Sequence, residues 1–137
     1  MWLILALLSA VFAALTSLLA KVGIEGVDSN VGTAIRTLVV FFMACGMAFV
    51  CGAKFSPAAV SARTWVFLIL SGLATGASWL CYFKALQLGD VSKVAPLDKL
   101  SVPLAMLLGV LVLGEPCDPK TVAGGILITA GALLLVL

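Results

Sequence analysis

The chain has 137 residues, of which 64% are hydrophobic and 10% charged, and its mean hydropathy is +1.29. A water-soluble domain carries about 25% charged residues, so a chain this apolar has too few polar groups to cover its own surface, whereas a bilayer removes that requirement. A net charge of +2 and the absence of histidine point away from nucleic acid and remove the commonest metal ligand and general base.

A helix needs about 20 residues to cross the hydrocarbon layer. Trp2–Ala20 is uncharged and predicts the first span, an uncleaved helix, because no Lys or Arg precedes Lys21 as a signal peptide would require. Val31–Cys51, interrupted by Arg36, predicts the second. Thr64–Phe83 predicts the third, and Val91–Leu113, with Lys93, Asp98 and Lys99 in its first half, the fourth. Thr121–Leu137 predicts a shorter fifth. Allowing for ragged ends, helices are expected near 2–22, 31–51, 64–87, 91–113 and 120–137. Turn chemistry separates them: Gly23, Gly26, Asp28 and Asn30; Gly52, Lys54, Ser56 and Pro57; Gly89-Asp90; and Gly114-Glu115-Pro116, with Asp118-Pro119 suited to cap the last span. The runs are continuously apolar rather than alternating, which disfavours a transmembrane β-barrel. The fold class is therefore an all-α membrane protein, a five-transmembrane-helix bundle. Cys45, Cys51, Cys81 and Cys117 show no metal-site spacing and read as small apolar packing residues.

Five spans put loops one and three on one side. That half holds Lys21, Glu25, Asp28, Arg36, Lys84, Asp90, Lys93, Asp98 and Lys99, nine of the fourteen charges. With the deeper Arg36 and Lys99 set aside, Lys and Arg balance across the membrane. The positive-inside rule then selects no orientation, and dual topology is an expectation of the sequence. Arg36, Asp98 and Lys99 lie inside spans, where charge is costly and usually faces protein or water. They are candidates for a polar cavity wall, with Lys21 at its edge; the alternative is snorkelling to the interface with an Arg36–Asp98 ion pair. Ser71, Thr75, Ser78 and Tyr82 fall on one face of span three beside Trp79, so Ser78, Trp79 and Tyr82 join the candidate substrate-binding set. Pro96 and Pro103 flank Asp98 and Lys99 and predict a bend in span four. Gly72 and Gly76 form a GxxxG spacing, while Gly124, Gly125 and Thr129 mark span five as a close-packing helix and a candidate dimer contact.

Several pieces together resemble a known family. They are Ala85-Leu86, Gly89, Val94-Ala95-Pro96, Pro103, Leu113-Gly114-Glu115, and Gly124-Gly125-Ile126-Leu127-Ile128 followed by Gly131. The pattern resembles an EamA domain of the drug/metabolite transporter superfamily and covers nearly the whole chain. Typical members carry two five-helix repeats of opposite orientation, and this chain resembles one EamA-like repeat. The resemblance implies a multi-pass protein of the bacterial inner (plasma) membrane and a secondary transporter; the lack of His, of paired catalytic carboxylates and of a nucleophile–base motif points away from an enzyme, and no cofactor or metal is expected. The resemblance also implies an antiparallel homodimer, or pairing with a related half-transporter. The glutamate in the first helix of the small multidrug exporters has no counterpart, since the first acidic residue is Glu25. The mixed charges favour a polar metabolite, zwitterionic or anionic. In this expectation spans one to four line the cavity, span five packs, and Asp98 is the coupling candidate. The alternative is an accessory or structural subunit that packs with a partner membrane protein and moves no solute.

Overall fold

The computed structural model describes residues 1–53 and 60–137, so the turn expected at Lys54, Ser56 and Pro57 lies outside the described residues. The described chain is helical: α1 (Trp2–Gly23), α2 (Ser29–Val50), α3 (Ala62–Leu88), α4 (Val91–Asp98), α5 (Ser101–Leu113) and α6 (Pro119–Leu134). Four stretches are long and apolar enough to cross a membrane: α1, α2, α3 and the α4–α5 pair, with α6 a shorter apolar helix. Large apolar side chains lie mostly on the outside, Phe42 at 64% and Leu111 at 70% exposure among them. In water such a surface would aggregate; in lipid it is the solvated face.

Several helix ends are closed by local chemistry. The Asp28 carboxylate accepts the Asn30 N–H at 2.8 Å and opens α2. At the far end of α2, Gly52 takes φ 68°, so the Ala53 N–H reaches back to the Ala48 carbonyl at 2.9 Å. Only a residue without Cβ adopts that φ cheaply. The Ser61 hydroxyl accepts the Thr64 N–H at 3.1 Å at the start of α3. Gly114, at φ 67°, ends α5, and the Asp118 carboxylate accepts the Thr121 N–H at 2.9 Å to begin α6, with Pro119 in its first turn. Hydrogen bonding from the Thr121 side chain, and then from its N–H, holds the Asp118 carboxyl below the usual carboxylate range. Within the spans, hydroxyls are satisfied by carbonyls four residues back: Thr33 on Ser29 (2.8 Å), Thr37 on Thr33 (2.7 Å), Thr75 on Ser71 (2.9 Å) and Thr129 on Gly125 (2.8 Å). In lipid every polar group needs such a partner.

The predicted bend of span four is a break. Pro103 has no N–H, so the Lys99 carbonyl loses its helical donor and takes the Val102 N–H at 3.0 Å instead. Lys99 and Leu100 likewise donate to Pro96 and Leu97, three residues back, each at 3.0 Å. This tightened turn separates α4 from α5.

The chain divides into two compact units, one formed by Met1–Leu18 with Leu88–Leu137 and the other by Leu19–Gln87. The second unit has a small core of Ile24, Phe83 and Leu86, with Ser29 and Thr33 buried beside them. Gly32 permits it, since a Cβ there would lie 2.9 Å from the Ile24 Cγ2 methyl. In the first unit α5 and α6 pack at Gly125, which faces Met106 and Pro103. All four cysteines are free thiols.

Candidate functional site

Two constellations hold most of the polar residues singled out from the sequence. The first surrounds the break in span four. The Lys99 ammonium pairs with the adjacent Asp98 carboxylate at 3.3 Å, and both remain partly exposed. Lys99 lines an open groove of about 700 Å³ together with Ala95 and Pro96 of α4. Its opposite walls are a small-residue face of α1, including Ser9, Ala13 and Ser17, and Leu127, Ile128 and Gly131 of α6. The Ser17 hydroxyl donates to the Ala13 carbonyl at 3.0 Å. Among the described lining residues Lys99 carries the charge; Asp98 is not one of them. Span five, expected mainly to pack, also supplies a wall through α6. Helix breaks at membrane depth are where transporters place solute sites, because irregular backbone there must face protein or a water-filled space.

The second constellation lies within residues 19–87. The Arg36 guanidinium of α2 lies over the Trp79 ring of α3, its carbon 4.1 Å from the ring centroid, and 5.2 Å from that of Phe83. Tyr82 meets Phe83 edge-on at 6.4 Å. Arg36, Trp79 and Tyr82 are half-buried and Phe83 is buried, while Ser78 is exposed. Lys21 has a different partner: its ammonium donates to the Leu86 carbonyl at 2.6 Å. That carbonyl lies in the last turn of α3, where the helix dipole favours a cation. Gln87 reinforces the same end by donating to the Val27 carbonyl at 2.8 Å.

A small apolar groove of about 530 Å³ runs between α5 and α6 and includes Gly125 and Thr129. Gly125 is buried against α5, whereas a Cβ on Gly124 would meet nothing within 4 Å. Sequence reasoning overlooked Phe83 and the small face of α1. The latter was legible, since Ala6, Ala10, Ala13 and Ser17 recur at spacings of three and four.

The model of the EamA-like transporter family matches residues 1–137. The chain belongs to the EamA-like transporter family. It is similar to an uncharacterized transporter in the cobO 3' region of a Sinorhizobium species, with 51% identity over 134 residues, which cover 98% of this chain and 95% of that relative. No solved structure matches. Membership makes the chain a multi-pass integral membrane protein of a transporter family rather than an enzyme.

Proposed function

We propose that this EamA protein is one protomer of a secondary transporter for a small polar metabolite, zwitterionic or anionic, in the inner membrane of a bacterium. It works by alternating access, paired antiparallel with a second copy or a related half. The observation that carries the reading is the break between α4 and α5, with Lys99 on the wall of the 700 Å³ groove. Discontinuous helices are where transporters gather substrate contacts, because the freed helix ends and carbonyls there face protein or a water-filled space. Pairing is supported by the relative, which is matched over 95% of its length and so holds one such unit itself, and by loop charges that favour neither side of the membrane. Gly124 is the contact glycine best suited to a neighbouring helix, since nothing occupies its open face. Asp98, beside Lys99, is the coupling carboxylate.

The test is reconstitution into liposomes and flux measurement across pools of zwitterionic and anionic metabolites. Lys99→Gln lowers flux at least tenfold with assembly intact. Asp98→Asn removes its dependence on a pH gradient. Accessibility labelling of a C-terminal tag finds both orientations. Flux unchanged by Lys99→Gln rejects the groove as the pathway.

A further inference from the structure

We infer that Arg36, mounted on Trp79 and Phe83, is a binding site for a compact oxyanion, a carboxylate or phosphate group carried by the solute. This rests on the transporter reading for its purpose, but its geometry stands alone. Arg36 lies seven residues along α2 from Ser29, about 10 Å at 1.5 Å per residue. A snorkelling arginine at that depth reaches toward the nearer helix end, past Phe83 and toward Gln87. This one sits closer to Trp79 than to Phe83, at 4.1 against 5.2 Å, and Trp79 is one turn farther from the end of α3. The guanidinium is therefore held inward.

The carboxylates within residues 19–87 are Glu25 and Asp28. Both belong to the loop between α1 and α2, and Asp28 is occupied as the cap of α2. The Arg36 guanidinium faces the Trp79 and Phe83 rings, with Tyr82 interacting electrostatically. A guanidinium carries five N–H donors, more than two rings absorb, and its planar fork matches two oxygens of one carboxylate or phosphate. Aromatic support fixes the fork in place, so little side-chain freedom remains to be lost on binding. A lysine on the same platform would offer a point charge and no fork.

The same chemistry occurs in lipid headgroups, so the experiment separates the two sources. Trp2→Phe and Trp65→Phe, both at exposed positions, leave Trp79 as the emitting tryptophan. The purified full chain in maltoside micelles is titrated with sodium phosphate, sodium succinate, sodium chloride and choline chloride at constant ionic strength. The expected result is a saturable change in Trp79 emission with phosphate or succinate and none with chloride or choline. Arg36→Gln abolishes it. Arg36→Lys, which keeps the charge and so guards against a folding artefact, weakens it roughly tenfold. The inference is overturned by no saturable response, by a response that survives Arg36→Gln, or by one that appears only when phosphatidylglycerol is added. Liposome flux distinguishes the two readings. Binding without flux leaves the anion site standing and rejects transport. Flux of solutes lacking an oxyanion, unaffected by Arg36→Gln, rejects the site and leaves transport standing.

Discussion

Arg36→Met separates a ligand-binding arginine from a structural one through stability alone. An arginine at the centre of a membrane helix costs about 2.5–3.5 kcal/mol on insertion. Arg36 lies seven residues from the start of α2, nearer the interface, so its cost falls to about 2 kcal/mol. A cation–π contact returns between about 0.5–1 kcal/mol exposed and about 2 kcal/mol desolvated, and this half-buried pair, with a 4.1 Å approach to Trp79, falls between them. The two nearly cancel. Methionine keeps an unbranched stem and makes favourable sulfur–aromatic contacts, so stem packing changes little. The expected change is within about 1 kcal/mol of zero, a shift of roughly 4 °C or less in thermal midpoint, while oxyanion binding disappears. Thermal unfolding in micelles, followed by circular dichroism, measures it. A loss of about 3 kcal/mol or more is the scale of stripping a partner from a buried ion pair. That outcome would show that Arg36 holds the protein together through a carboxylate, and the cancellation just described would be wrong.

Three further outcomes test the unit around it. Gly32→Ala places a methyl 2.9 Å from Ile24 Cγ2 inside a buried cluster and is expected to cost about 1–3 kcal/mol; Gly23→Ala, with nothing within 4 Å, is the neutral control in the same unfolding assay. Lys21→Met deprives the Leu86 carbonyl of a charged donor and lowers stability by about 1.5–3 kcal/mol, with Lys21→Arg recovering part of the loss. Asp118 titrates below the usual range because the Thr121 side chain and then its N–H bond the charged form. Its cap on α6 therefore contributes fully above about pH 4, the unfolded value, and is lost as pH falls through the lower folded one. Asp118→Asn keeps a capping oxygen and flattens this acid-side slope of the thermal midpoint; an unchanged slope would assign it to other groups.

The spans were legible because lipid imposes length and continuity, and those survive in a single sequence as uncharged runs of about 20 residues bounded by Gly, Pro and Asp. The caps were legible for the same local reason: Asp118-Pro119 announces α6 three residues before its carboxylate meets Thr121. The severity of the break in span four was harder to read. Two prolines predict a bend, but a break follows from which carbonyl loses its donor and whether another N–H can take it. Here Val102 takes the carbonyl of Lys99, and the turn tightens instead of curving. The role of α6 as a groove wall was missed because its glycines fit two purposes equally. Gly125 serves the contact with α5, whereas Gly131 lines the groove, and nothing in their spacing distinguishes them.

The polar stripe of span three illustrates the limit more sharply. Ser71, Thr75, Ser78 and Tyr82 share a face, yet Thr75 spends its hydroxyl on the Ser71 carbonyl. The informative face of α3 is the aromatic one, Trp79 and Phe83, one turn apart. Its meaning depends on α2, and thus on register. That register is fixed in the loop region, where Gln87 bonds the Val27 carbonyl. Arg36 lies nine residues beyond Val27 and Trp79 eight residues before Gln87, so antiparallel helices started from that pair bring them level. Gly32 and Phe83 meet in the same register one turn nearer the loop, and Ser29 and Leu86, both fully buried, one turn nearer still. The glycine is the key: a side chain at position 32 would press on Ile24, which shares the buried cluster with Phe83, and the platform beneath Arg36 would shift as that cluster repacked. The oxyanion site therefore depends on a residue that touches no ligand, and weakened anion binding in Gly32→Ala, with Arg36 and Trp79 both intact, is the consequence of that dependence.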